Sequence, residues 1–413
     1  MTQALYKIQV FYVGWGERWP LGTLASDGKQ TLFEYSSEAL AKGVELSPRH
    51  LPLSNQTYSS FPIHQFQLAG LFADSLPDGW GMLLMDRYFK KYLGRERHQI
   101  HPLERLAFLG EHTMGALVYL PAVDQPDQST ALNLSDLADA IAHVQQDQDT
   151  VVLAELALMG GSPQGARPKS LVYYDPTTHQ MSTQAFESGE PWLVKFPAQS
   201  EHPEVCAIEA AYLEIARLCG FDVPEFQFLT VNDDLSALVI KRFDRLGDVR
   251  IPMHSLAGAL HADFRIPDTS YELFLRMTRF MTRSEADVQK AFARCVFNVC
   301  MNNRDDHTKN FAYLMNQRGE WQLAPAYDLT FNTGLNGHHQ MDMDGESLHP
   351  TRENLLNLAK NAGLSTRSSS QMIDHIVEVT TRAREVLQQF PIRHATIETI
   401  TSAIKENSQR LKS

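Results

Sequence analysis

Between Asn303 and Asn310 the chain reads Asn-Arg-Asp-Asp-His-Thr-Lys-Asn, a run without one aliphatic side chain. It stands between an amphipathic helix predicted over 285–301 and an apolar strand predicted over 311–315. A polar run joining two apolar elements is either a solvated loop that caps the next element or a place where ionisable groups gather for chemistry. Taken alone, the string reads more simply as the solvated loop.

Its spacing argues for chemistry. In Arg304-Asp305-x-x-x-x-Asn310 a carboxylate can accept the proton of an attacking hydroxyl. One loop-turn later, an amide oxygen can hold a divalent cation that bridges phosphates. That is the spacing of a kinase catalytic loop. Three features in the matching order strengthen it. Leu193-Val194-Lys195 ends an apolar strand on a lysine, suited to the α- and β-phosphates, and the next helix carries Glu209 where an ion-pair partner is expected. Beyond the strand 321–324, Ala326-Tyr327-Asp328-Leu329 supplies a second acidic metal ligand. Each has a plainer reading: an edge lysine, a surface glutamate, an aspartate capping a turn. The ordered set is harder to obtain by accident than any one member. The segment 160–169 (Gly-Gly-Ser-Pro-Gln-Gly-Ala-Arg-Pro-Lys) fits neither the P-loop nor the G-x-G-x-x-G pattern, yet its glycines let backbone N–H groups approach phosphate oxygens. A plain turn is the alternative.

Hydrophobic periodicity sets the expected architecture. Short alternating runs at 7–13 and 31–35 predict a small antiparallel sheet, and 78–92 predicts a helix with Met82, Leu83, Met85, Tyr88 and Phe89 on one face. The polar stretch 122–133 is the best linker. Strands at 170–174, 192–196, 225–231 and 237–243 alternate with helices at 134–146, 150–159 and 203–218, and helical patterns dominate from Tyr271 onward. The expected fold class is therefore α+β: a bilobal, protein-kinase-like order with a small β-rich N-terminal subdomain and a mostly helical C-terminal lobe. The expected divisions are 1–121, 134–245 and 246–413.

Composition excludes other classes. At 413 residues and 43% hydrophobic the chain supports sizeable cores, and no stretch has the length of a membrane span. The N-terminus lacks the marks of a signal peptide, so a cytoplasmic protein is expected. Cys206, Cys219, Cys295 and Cys300 include no C-x-x-C pair and read as core thiols. A net charge of -12 opposes direct binding to nucleic acid, so DNA contact would need a basic partner.

Over nearly its whole length the chain resembles the HipA family, the kinase toxins of bacterial type II toxin–antitoxin pairs. Gly165-Ala166-Arg167-Pro168-Lys169 is similar to the family's G-A-Q-E-K phosphate loop, with Ser162 at the autophosphorylated position. Residues 237–245 (Ala-Leu-Val-Ile-Lys-Arg-Phe-Asp-Arg) resemble its adenine-binding hinge. Residues 305–311 match its D-x-H-x-K-N-F loop, and Tyr327-Asp328 its Y-D metal site. Ser75-Leu76-Pro77-Asp78 and 115–121 look like its N-terminal signature. The resemblance implies Asp305 as catalytic base. It implies ATP held by Gln164, Gly165, Ala166, Arg167, Pro168, Lys169, Lys195, Lys241, Arg242, Phe243, His307, Lys309, Asn310, Tyr327 and Asp328, with Mg2+ on Asn310 and Asp328. It further implies a protein substrate from translation, such as an aminoacyl-tRNA synthetase, with growth arrest as the outcome, and a HipB-like helix-turn-helix antitoxin through which DNA is reached. The sequence departs from the family at Arg167-Pro168, at Pro163 and at Lys241; the two prolines remove backbone donors from the loop. The rival expectations are a catalytically dormant co-repressor and a small-molecule kinase on the same scaffold.

Other clusters carry less. His338-His339 with Asp342 and Asp344 reads as a strand entering an Asp-Gly turn rather than a metal site. Trp80, Trp192 and Trp321 read as core anchors.

Overall fold

Alternation of burial fixes the first sheet. In β1 (Lys7–Tyr12) Ile8, Val10 and Tyr12 are buried while their neighbours face outward. β2 (Trp19–Ser26) pairs with it antiparallel, Val10 opposite Gly22. A Cβ on Gly22 would stand 2.2 Å from the Glu34 carbonyl oxygen of β3 (Thr31–Tyr35), so the crossing tolerates only glycine. With β4 (Leu117–Leu120) the sheet order is β3-β2-β1-β4. The computed structural model describes residues 7–121, 131–148, 150–160, 163–199, 201–232 and 235–412. Most of the expected linker and the candidate Ser162 lie outside the described residues.

The chain divides into two units, of which the first comprises Met1–His202, Leu229–His254 and Met315–Gly319. Besides the first sheet it holds the helix Gly79–Leu93, which buries Trp80, Met82, Leu84, Met85, Tyr88 and Phe89. The expected face included Leu83; instead Leu83 is exposed and Leu84 is buried, because Leu84 lies one turn from both Trp80 and Tyr88. A second sheet follows from β5 (Lys169–Tyr174), β6 (Met181–Ser182), β7 (Glu190–Lys195), β8 (Phe226–Asn232) and β9 (Leu235–Lys241), in the order β6-β5-β7-β9-β8. Near its centre Val172, Trp192, Val194, Leu238 and Val239 are all buried. The β5–β7 register sets Lys169 opposite Lys195, and β7–β9 sets Trp192 opposite Lys241.

The second unit comprises Pro203–Phe228, Ser255–Leu314 and Glu320–Ser413 and is mainly helical. At its centre runs the helix Glu285–Cys300. Ser284 accepts from the Asp287 N–H at 3.2 Å as N-cap, and Glu285 and Asp287 complement the dipole in the first turn. From Ala291 to Cys300 every residue is buried, so the helix is enclosed on all sides. The helices Tyr271–Thr282, Thr366–Thr380 and His394–Lys412 pack against it. The four cysteines are free and buried, and Trp80, Trp192 and Trp321 are core residues, as expected. The Asp-Gly turn is also present: Gly345 N–H donates to Asp342 at 2.8 Å. Among the described residues, no helix is long and apolar enough to cross a membrane. The fold is α+β.

Candidate active site

The polar run begins where the central helix of the second unit ends. Asn302 adopts a left-handed conformation, φ 55°, and turns the chain. Asparagine tolerates that region better than most residues. Three asparagines then tie the run down from within: Asn303 donates to the Asn298 side chain at 3.0 Å, Asn302 to the Asn332 carbonyl at 3.0 Å, and Asn407 to the Asn302 side chain at 3.2 Å.

The two adjacent aspartates have opposite environments. Asp306 is fully buried and accepts from the Tyr271 hydroxyl at 2.7 Å, His339 Nδ1 at 2.8 Å and the Gln340 N–H at 2.8 Å. Burial, and then the Asp306 carboxylate, push the Tyr271 phenol well above its ordinary range, so it remains a neutral donor. Asp305 is turned the other way, its side chain 45% exposed, with His307 Nε2 3.8 Å from its carboxylate. His307 Nδ1 accepts from the Lys309 N–H at 3.2 Å, which leaves Nε2 to carry the proton on the side of Asp305.

Asn310 is coupled to Asp305 through the backbone: its Nδ2 donates to the Asp305 carbonyl at 2.7 Å. With Nδ2 so occupied, Oδ1 is the amide atom left to meet a cation. Tyr327 donates to the Lys309 carbonyl at 2.6 Å, pinning the Tyr327-Asp328 segment to the same loop. Asn310, Tyr327 and Asp328 line one small pocket, of about 300 Å³ with open solvent included, together with Asp306 and Arg294. Asp328 has φ 53°, an unusual conformation that aspartate tolerates. An amide oxygen and a carboxylate at one pocket fit magnesium, which takes one or two protein ligands and completes its shell with phosphates and water. Lys309 lays its ammonium over the Phe264 ring at 4.1 Å.

All but one of the remaining candidates lie in the first unit. Lys169 and Lys195 are opposed on adjacent strands and both are buried, which sets two lysines at one end of the sheet. Lys169 Nζ donates to the Gln164 carbonyl at 2.6 Å, and the Arg167 Nε meets Glu201 at 2.9 Å and 3.0 Å. Gly165 has φ 110°, a backbone conformation that favours glycine. In the second unit, Glu209 is buried on the helix Val205–Leu218.

The segment 241–245 closes on one buried carboxylate, that of Asp244. Lys241 pairs with Glu190 at 2.8 Å on the surface. Arg242 grips Asp244 through Nε at 2.9 Å and Nη2 at 2.8 Å, so its guanidinium is committed within the protein. Asp244 also accepts from Arg245 at 2.8 Å and from the Gly115 N–H at 2.7 Å. Burial alone would raise this carboxyl; Arg242 and Arg245 overcome it and hold it well below the usual range. Asp306, Tyr271, His339 and Asp244 were absent from the expected site. Their signal in the sequence was weak: His339 lay in a cluster read as a turn, and nothing local marks Tyr271 as its neighbour.

Comparison with known proteins bears on the family and the fold. Residues 13–120 match the model of the HipA N-terminal domain, and 161–384 that of the HipA-like C-terminal domain. The chain belongs to the HipA family. It is 35% identical over 156 residues to the Sinorhizobium fredii protein "Putative kinase Y4dM", across 34% of this chain and 37% of that one. It is 28% identical over 246 residues to "Putative kinase Y4mE" of the same species, across 54% and 55%. The chain thus spans between about a third and about half the length of these curated relatives. Among solved structures, a chain from the complex of the Shewanella oneidensis MR-1 toxin–antitoxin system HipA, HipB and its operator DNA superposes with a TM-score of 0.72. That match has 16% identity and covers 98% of this chain and 97% of that chain, a likeness of fold.

Proposed function

We propose that this protein is an ATP-dependent kinase that transfers the γ-phosphoryl group to a serine or threonine hydroxyl of a protein. The observation that carries the reading is the division of labour in the catalytic loop. Asp306 is buried and held by three donors; Asp305, the next residue, faces outward and is joined through its carbonyl to Asn310 at the pocket of Asp328. In this reading Asp305 orients the acceptor hydroxyl and takes its proton. Magnesium on Asn310 and Asp328 would neutralise charge developing on the phosphates. Gln164, Gly165, Ala166, Arg167, Pro168, Lys169 and Lys195 cradle the phosphates; His307, Lys309 and Tyr327 complete the nucleotide site, and backbone groups of Lys241, Arg242 and Phe243 receive adenine. The functional divisions are 1–121, 134–245 and 246–413.

The same reading names a translation component, such as an aminoacyl-tRNA synthetase, as substrate, Ser162 as the site of self-modification and growth arrest as the outcome. It also names a HipB-like antitoxin as partner. The Shewanella complex, which contains HipA, HipB and operator DNA, supports that partner by analogy of fold. A second reading, a dormant co-repressor, draws on Pro163, Pro168 and the commitment of Arg167 to Glu201.

Incubation of the purified chain with ATP and magnesium, followed by mass spectrometry, tests the choice. A phosphate gained on the loop serine favours the kinase; an unmodified chain that nonetheless binds a helix-turn-helix partner favours the co-repressor.

A further inference from the structure

Asp78 stands at the N-cap of the helix Gly79–Leu93, and its side chain makes no cap hydrogen bond there. Aspartate is among the strongest N-caps, so the omission forgoes a stabilising interaction. The carboxylate instead accepts from the N–H of Gly165 in the glycine loop. Around it the two segments are tied at further points. The Trp80 N–H donates to the Gly165 carbonyl at 3.2 Å, the Trp80 indole to the Lys169 carbonyl at 3.1 Å, and the Gln164 side chain to the Asp74 carbonyl at 3.2 Å. The approach is close enough that a Cβ on Gly79 would stand 2.7 Å from Ala166 Cα. All of these residues belong to the first unit.

A glycine loop binds phosphate through backbone N–H groups, and here an anionic side chain already occupies one of them. We propose that Asp78 is a gate on the phosphate loop. Its carboxylate holds the Gly165 N–H and must leave when a phosphate oxygen of ATP takes that donor. Two anions drawn to one N–H repel each other, so nucleotide binding works against the carboxylate's charge as well as its hydrogen bond. The gate rests on the reading of residues 164–169 as a phosphate loop, and the residue that sets it belongs to the segment matching the HipA N-terminal domain.

The test is the affinity of the full chain for ATP and for adenosine, with Asp78→Asn as the main variant. Asparagine keeps the accepting oxygen and removes the charge; Asp78→Ser, another good N-cap, is a second variant should the first fold poorly. ATP is expected to bind the variants roughly tenfold more tightly, with adenosine unchanged. Trp80→Phe loses a tie but no charge and is expected to leave ATP affinity within about twofold. Tightening by Trp80→Phe equal to that by Asp78→Asn would overturn the gate, because loosening alone would then explain the effect. ATP binding to the parent chain that is unchanged or weakened in both Asp78 variants would also overturn it, while leaving the nucleotide reading intact. Folded parent and variants that all fail to bind ATP would overturn the nucleotide reading itself.

Discussion

Asp305 and Asp306 are neighbours in sequence, and their fates differ because the chain passes between them from interior to surface. Removing the acceptor at Asp306 leaves Tyr271, His339 Nδ1 and the Gln340 N–H without their partner in a buried place. Asp306→Ala is therefore expected to cost about 3 kcal/mol or more, read as a fall in denaturation midpoint. Asp305→Asn changes a half-exposed side chain. It is expected to leave the midpoint nearly unchanged while lowering phosphoryl transfer by about 10²–10⁴, the usual worth of a general base. The reverse pattern, stability lost at Asp305 and activity lost only at Asp306, would exchange their roles. The spacing to Asn310 was legible in the sequence and singled out Asp305. The partners of Asp306 were not, because Tyr271 and His339 are distant in sequence and meet it only in the folded unit.

The same limit appears among the elements. Strands β5, β7 and β9 and the helix Glu285–Cys300 were legible to within a residue or two, because each has one dominant period. β2 was hidden by Pro20 and Gly22, whose propensities argue against a strand and are overridden by its place between β1 and β3. The segment 241–245 was read for its backbone; its side chains form the knot at Asp244, which also binds the Gly115 N–H. This knot gives a pH dependence. The folded carboxyl titrates below the unfolded value of about 3.9, so its contribution is complete above about pH 5 and shrinks as pH falls toward the folded value. Asp244→Asn is expected to destabilise the protein by about 3 kcal/mol at neutral pH and to flatten the loss of stability between about pH 5 and pH 2. Denaturant titrations of both proteins across that range check it; parallel curves would exclude Asp244 as the source.

At the scale of the whole chain, the α+β class and the family were legible because ordered motifs recur from Asp78 to Asp328, and chance seldom reproduces an order. Side-chain commitments were not, since the pairing of Arg167 with Glu201 or of Arg242 with Asp244 depends on folded geometry. The central claim is that Asp305 performs the transfer and that Asn310 and Asp328 hold the cation it needs. The most direct measurement is transfer of labelled γ-phosphate by the parent chain, Asp305→Asn and Asp328→Asn, with magnesium-dependent ATP binding measured on the same samples. The account predicts that Asp305→Asn binds magnesium and ATP normally but transfers about 10²–10⁴ more slowly, and that Asp328→Asn loses the magnesium dependence of binding as well. Transfer at the parental rate in both folded variants would contradict it.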